Sequence, residues 1–217
     1  MIPGLLLYSI LGARIYHILT SLKLYLPNHP LDMLKIYEGG LSIWGALLAS
    51  LLYLVYQSHK LKINLYSLLN PLLPALALAQ GIGRFGNYFN QELFGSPTSL
   101  PWKLMVEPSY RPKATPNLQY YHPTFLYEAI GATLLSGILY YLYLKTQLPN
   151  RIPSLLPLLY LLGYSTIRVF TETLRTDYSP TFLGLRFNLL LALSLGLLSL
   201  TLLLISIKKS FLLVNKP

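Results

Sequence analysis

Thirteen residues, "GRFGNYFNQELFG" at 83–95, carry one arginine, two asparagines, a glutamine and a glutamate directly after the apolar run "LYSLLNPLLPALALAQGI". A second group lies in "GYSTIRVFTETLR" at 163–175. At about 100° per residue, Tyr164, Arg168, Glu172 and Arg175 fall at i, i+4, i+8 and i+11, within one stripe about 80° wide. An arginine in hydrocarbon costs roughly 2.5–3.5 kcal/mol, so Arg168 must face protein or water and find a partner. A simple Arg168–Glu172 pair at i,i+4 would satisfy it, but would leave Tyr164 and Arg175 on the same stripe unexplained. In "HPTFLYE" at 122–128, His122 sits in a cap-like position before Pro123, which suits a first helical turn. Tyr127 and Glu128 follow. A lone histidine there is more often a cap or interface residue than a catalyst. Arg14, mid-helix in "GARIYH", also needs an interior partner, and only seven acids exist: Asp32, Glu38, Glu92, Glu107, Glu128, Glu172 and Asp177.

What chemistry do these groups suit? The four histidines, at 17, 29, 59 and 122, make no His-x-x-x-His pair, and no metal-ligand spacing is visible. Cysteine is absent, so no disulfide, zinc thiolate or cysteine nucleophile is available. There is no Gly-x-Ser-x-Gly elbow and no phosphate loop. Arginines set among amides suit a phosphate dianion or diester. The residues alone point to an enzyme acting on a phospholipid, with a lipid-binding or transport protein as the rival.

The elements that position these groups are membrane helices. Only 11% of the 217 residues are charged, 53% are hydrophobic and the mean hydropathy is +0.49, far from the about 25% charge of a soluble domain. Six apolar stretches, about 2–25, 40–57, 65–83, 122–144, 153–172 and 187–207, approach the about 20 residues that cross a bilayer. The fold class expected is therefore an all-α polytopic bundle of about six spans in one domain, 1–217, with an outer-face loop region over 84–121. The first stretch is too long for a signal peptide and lacks a basic n-region and a cleavage site. The net charge of +10 is scattered over loops, which favours membrane-surface chemistry over nucleic-acid binding. Lys60, Lys62, Lys145, Arg151, Lys208, Lys209 and Lys216 mark the short connections of one side, which places both termini in the cytoplasm. Alternating the spans then brings "YEGGLSIWG", "GRFGNYFNQELFG", "HPTFLYE" and "GYSTIRVFTETLR" to the outer face. On a straight helix Asn90 and Glu92 point about 200° apart. With Gly83, Gly86 and Gly95 present, and Pro71 and Pro74 upstream, a helix break is expected there. Irregular backbone at that depth lines protein or a wet cavity.

The same blocks resemble one family. "GRFGNYFNQELFG" matches every defined position of the bacterial prolipoprotein diacylglyceryl transferase signature, Gly-Arg-x-Gly-Asn-aromatic-x-Asn-x-Glu-x-aromatic-Gly. "LGARIYHIL" at 11–19, "EGGLSIWGALL" at 38–48, "HPTFLYE" and "GYSTIRVFTETLR" follow the family's order. The resemblance implies transfer of a diacylglyceryl group from phosphatidylglycerol to the thiol of a lipobox cysteine in a prolipoprotein, releasing glycerol phosphate, in the bacterial inner membrane and without a cofactor or metal. It implies that Arg84 holds the donor phosphate, with Asn87 and Asn90 shaping the headgroup site, Glu92 pairing with Arg84 and Gly95 letting backbone approach the lipid. Arg168 would stabilise charge on the departing phosphate, Glu172 and Arg175 would orient it or complete the pocket, and Tyr164 would bond a phosphate or ester oxygen. The family's Gly-Gly-x-x-x-His-Gly histidine, a proposed base, is Trp44 here. That leaves His122, Glu172, Glu128 or no dedicated base, the last being the reading favoured if a positive pocket lowers the thiol pKa. The family usually has a further span ahead of the Gly-Ala-Arg block, so either that first span is expected to be absent or the start codon to be misassigned, and Asn70 stands where an aspartate is common.

Overall fold

The computed structural model describes residues 1–26, 30–146 and 155–214. His29, Arg151, Lys216 and the start of the fifth apolar stretch, at 153–154, lie outside the described residues. The chain divides into two compact units, Met1–Leu69 and Asn70–Pro217.

The first unit holds α1 (Ile2–Thr20), α2 (Leu22–Tyr25), two single 3-10 turns at Pro30–Leu34 and Ile36–Glu38, α3 (Ile43–Leu61) and α4 (Leu65–Leu69). Helices α1 and α3 touch backbone to backbone where Gly12 meets Gly45. A Cβ on Gly12 would fall 2.6 Å from the Gly45 carbonyl oxygen, so only glycine fits. This contact draws on the "LGARIYHIL" and "EGGLSIWGALL" blocks. Arg14 is buried on α1, and its acceptors are backbone carbonyls: Met33 at 2.9 Å, Gly39 at 2.7 Å, Gly40 at 3.1 Å and Asp32 at 2.6 Å. The interior partner expected among the acids is thus a loop of carbonyl oxygens, which the 3-10 turns and glycines of 30–40 fold around the guanidinium. Trp44, in the first turn of α3, is 56% exposed.

The second unit runs α5 (Leu72–Phe89), β1 (Leu104–Met105), β2 (Tyr120–Tyr121), α6 (Thr124–Thr146), α7 (Leu155–Leu174), β3 (Thr181–Phe182), β4 (Leu185–Arg186) and α8 (Phe187–Val214). Successive helices pack on each other, α5 on α6, α6 on α7 and α7 on α8. Leu73 and Ala77 of α5, Leu135 and Leu139 of α6, and Leu156 and Tyr160 of α7 form the core. Ser136 donates to the Pro74 carbonyl at 2.7 Å, an interhelical hydrogen bond in an otherwise apolar seam. A smaller core of Phe94, Val106 and Tyr121 sits under the antiparallel β1–β2 pair.

Among the described residues, four segments are long and apolar enough to cross a membrane: Ile2–Thr20, Leu65–Phe89, Thr124–Lys145 and Phe187–Lys209. Their outer faces keep large apolar side chains exposed, such as Leu134 and Ile138 on α6 and Leu197, Leu198 and Leu204 on α8, as lipid contact requires. The other two expected stretches are helical as well. Helices α3 and α7 have 19 and 20 residues, about 30 Å each, but α3 ends in "QSHKL" and α7 carries Arg168 and Glu172.

Candidate active site

Backbone hydrogen bonds tie together the ends of three helices. Gly95 N–H donates to the His122 carbonyl at 2.9 Å, His122 N–H to Ser96 at 3.0 Å, and Ser96 N–H to Leu174 at 2.7 Å. The C-terminal ends of α5 and α7 and the N-terminal end of α6 therefore meet at one place. Gly95 is required there: a Cβ would lie 2.8 Å from the His122 Cβ and 3.0 Å from the Leu174 carbonyl oxygen. The close approach this glycine permits is to the protein's own chain at His122, Thr124 and Leu174.

The helix break falls later than the glycine pattern predicts. Gly83 and Gly86 are helical with open space around them, and residues 84–89 form the last turns of α5 rather than a loop. The chain leaves the helix at Asn90 and passes through Gln91 (φ 51°) and Leu93 (φ 57°), two left-handed non-glycine residues on either side of Glu92. This strain is held from both sides. The Gln91 side chain accepts from the Glu107 N–H at 2.8 Å, and Thr124 Oγ1 donates to the Leu93 carbonyl. Because the helix ends first, Asn90 and Glu92 converge instead of pointing apart. Glu92 Oε1 accepts from Asn87 Nδ2 at 3.0 Å and from Asn90 Nδ2 at 3.2 Å. Arg84 does not pair with Glu92. Its Nη1 donates to Asn87 Oδ1 at 3.3 Å, so Asn87 links the two.

The partner of Arg84 is Glu128, one turn into α6, with Nε 2.8 Å from Oε2. Glu128 Oε1 accepts from Arg168 Nη1 at 2.9 Å, and Arg175 Nη1 lies 3.9 Å away. Arg168 Nη2 donates to Glu172 Oε2 at 2.9 Å. The expected i,i+4 pair therefore forms, as one link of a larger network. Arg186, delivered by the β3–β4 hairpin, brings its Nε to 2.9 Å from Glu172 Oε1, and its Nη1 donates to the Arg175 carbonyl. Leu183 and Gly184, both at positive φ, make the two-residue turn that aims this hairpin. The Arg84–Glu128 and Arg186–Glu172 contacts are close, but their N–H groups are not aligned with the oxygens, so they act as ion pairs rather than hydrogen bonds.

Arg175, one residue beyond α7, forks onto Asp177 at 2.8 and 3.0 Å, and Arg186 Nη2 reaches the same carboxylate at 3.3 Å. Burial, the largest single influence on Asp177, opposes its ionisation. The hydrogen bond and charge of Arg175, with those of Arg186, outweigh it and hold the carboxyl below the usual range. Burial likewise opposes the Arg175 charge, but Asp177 and then Glu172 and Glu128 raise its pKa further. Four guanidinium groups thus face three carboxylates, and one positive charge is in excess. Glu128 and Glu172 are 4% and 1% exposed, so these charges act in a dry setting where Coulomb attraction is weakly screened. Arg84 spends Nε and Nη1 on Glu128 and Asn87, and among the described residues no partner takes its Nη2.

Arg84, Arg168, Glu172 and Arg175 are therefore brought together, and Asn87, Asn90 and Glu92 join them through Arg84. Two predicted residues stand apart. Tyr164 stacks on Tyr160, with ring centroids 6.0 Å apart, against the helical core. The His122 Nδ1 pairs with Tyr127 Oη at 3.1 Å, and that hydroxyl accepts from Trp102 Nε1 at 2.8 Å. Glu128, Asp177 and Arg186 are the members that periodicity did not assign to the site. An acid inside an apolar helix carried a signal for Glu128, since it must have a partner. Arg186 gave none, because a hairpin rather than a helical spacing places it. Among the described residues, no three His, Cys, Asp or Glu side chains gather as a metal site.

Beside the network opens a cavity of about 590 Å³, lined by Asn90, Glu92, Phe94, Tyr110, Asp177 and Tyr178 among others. Its lining contains two carboxylates and no lysine or arginine.

Residues 1–205 match the family model described as prolipoprotein diacylglyceryl transferase. The chain belongs to this family. It is a helical, multi-pass membrane protein. A relative from Synechococcus sp. (strain CC9902), named phosphatidylglycerol--prolipoprotein diacylglyceryl transferase, is 41% identical over 179 residues, which cover 82% of this chain and 64% of the relative. Relatives of the same name come from Synechococcus elongatus, 39% identical over 176 residues (80% of this chain, 60% of the relative), and from Frankia alni, 40% identical over 185 (84% and 48%). The chain spans just under two thirds of the length of the relatives most similar to it among these.

Proposed function

We propose that this chain transfers the diacylglyceryl group of phosphatidylglycerol to the thiol of a lipobox cysteine in a prolipoprotein. A thioether forms and glycerol phosphate leaves, the first step of bacterial lipoprotein maturation. The observation that supports this most is the buried network itself, four arginines over three carboxylates with one positive charge in excess. A phosphodiester monoanion would neutralise that excess. Arg84, with Nη2 unspent, takes the donor phosphate, and Asn87 and Asn90, held by Glu92, shape the headgroup end of the site. Arg168 stabilises charge building on the leaving phosphate, a role that in a dry site is worth a few kcal/mol. Glu172, with Glu128, fixes the plane of the Arg168 guanidinium, and Arg175 closes the pocket. Gly95 keeps the helix ends close enough for these groups to meet. Tyr164 lies one turn below Arg168 and would reach an ester oxygen, and His122 sits at the rim with Tyr127. The reaction uses no cofactor and no metal.

In this reading residues 1–217 act as one integral-membrane domain of about six spans, α3 and α7 crossing with the four more apolar segments. Both termini face the cytoplasm, and the site, with the loop region from Asn90 to residue 121, opens to the outer leaflet of the bacterial inner membrane. The alternative is a non-catalytic protein that binds or translocates phospholipid with the same arginines. To separate the two, purified protein is supplied with phosphatidylglycerol and a lipobox peptide, and the peptide is weighed. A diacylglyceryl increment on cysteine that disappears in Arg168→Ala supports the transferase. Saturable phosphatidylglycerol binding without product would support the alternative.

A further inference from the structure

The donor phosphate accounts for the arginines, but a transfer to sulfur also needs the thiol proton to go somewhere. Three carboxylates in the unit, Glu128, Glu172 and Asp177, each face two or more arginines and are occupied as counter-ions. His122 is turned to Tyr127. Glu92 differs from all of these. Its partners are neutral amides, both on Oε1, and among the described residues nothing takes its Oε2. It lines the 590 Å³ cavity, whose wall carries no lysine or arginine to hold a phosphate. The two left-handed residues flanking it, clamped by Glu107 and Thr124, fix its backbone at a conformational cost. Strain kept in place by its surroundings is typical of a functional position.

We propose, on the basis of the transferase reading, that this cavity seats the peptide segment around the acceptor cysteine and that Glu92 is the catalytic residue that receives the thiol proton. As the sulfur electron pair forms a bond to the glyceryl carbon of the donor, the S–H proton passes to Glu92 Oε2. The carbon–oxygen bond to phosphate breaks, its electron pair stays on the phosphate oxygen, and glycerol phosphate departs as the dianion. The proton then leaves Glu92 to that phosphate or to water, restoring the carboxylate. Proton removal concerted with S–C bond formation suits a weak base, because sulfur becomes strongly acidic as it is alkylated. Asn87 connects the two halves of the site: it accepts from Arg84 on the donor side and donates to Glu92 on the acceptor side.

Glu92→Gln is a clean probe, since a glutamine oxygen still accepts from both amides. It is assayed as purified full chain in phosphatidylglycerol micelles with two synthetic lipobox peptides, one carrying cysteine and one carrying selenocysteine, whose selenol is already ionised at neutral pH. On the cysteine peptide at pH 7 the variant should lose about a hundredfold or more in turnover. That deficit should shrink as pH rises toward the free thiol value of about 8.5. On the selenocysteine peptide it should stay within about threefold of wild type, which also shows that the variant is folded. Glu92→Asp, which keeps a carboxylate, should recover part of the cysteine activity. Equal loss on both peptides in both variants, or a deficit that does not change with pH, would overturn the assignment. A wild type that makes no thioether on either peptide would instead sink the transferase reading and this proposal with it.

Discussion

Arg14 and Arg168 both project from apolar helices, yet they are satisfied in different ways. Arg14 donates to four backbone carbonyls of the 32–40 segment, each fixed by the fold and none able to leave. Arg168 shares two buried carboxylates with three other arginines, so its partners have partners of their own. The first arrangement closes a structure. The second can lose or gain one charge and redistribute the rest, which is what binding and releasing a phosphate demands. A buried arginine in a membrane helix is thus a functional candidate only when its partners are shared.

The widest separation between the two is expected from Arg168→Ala. Glu128 keeps Arg84 and Glu172 keeps Arg186, so the unit should still fold, while turnover falls by about 10²–10³ as one transition-state donor is lost. Normal turnover in this variant, measured by peptide mass, would break the comparison. Arg14→Met should do the opposite. It takes one donor away from each of four carbonyls and should lower stability by roughly 2–4 kcal/mol, seen as a depressed unfolding midpoint. Turnover per folded molecule should hold. A stable but inactive Arg14→Met would mean that the first unit takes part in the chemistry.

Gly95→Ala should fall between the two in kind and below them in size. The added Cβ meets the Leu174 carbonyl oxygen at 3.0 Å and the His122 Cβ at 2.8 Å, neither of which can swing aside. About 1–3 kcal/mol of stability should go, and turnover should drop with it because the ends of α5, α6 and α7 are prised apart. Unchanged midpoint and unchanged rate would show that this junction does not position the site.

The smallest effect is a pH dependence. The Asp177 carboxyl is held below the usual range, so its contribution is complete at any pH above the ordinary aspartate value of about 3.9. It is lost only as pH falls through the lower, folded value. The midpoint difference between wild type and Asp177→Asn should therefore be the same at pH 7 and pH 5 and should fade only in stronger acid. A difference already gone at pH 6 would mean that the Arg175–Asp177 fork is not formed.

Much of this site could be read before any coordinates, and the gaps have physical causes. The Arg168–Glu172 pair follows from helical spacing, and an acid such as Glu128 within an apolar helix announces a missing partner. A straight helix would point Asn90 and Glu92 about 200° apart, so a break is expected, and the glycines place it near Gly83 and Gly86. The backbone instead leaves the helix at Asn90 through two non-glycine left-handed residues, a conformation that no residue type there signals. Arg186 comes from a short hairpin beyond Asp177, and nothing in the periodicity of α7 or α8 points to it. The acid sought for Arg14 was the wrong kind of partner, since a chain reversal that turns several carbonyls inward serves a guanidinium equally well.

The most direct test of the account runs Arg168→Ala and Arg14→Met side by side in phosphatidylglycerol micelles, below both unfolding midpoints, and counts diacylglyceryl-modified lipobox peptide per folded molecule. The account predicts near-wild-type product from Arg14→Met and a loss of at least a hundredfold in Arg168→Ala. Comparable product from both variants would contradict it.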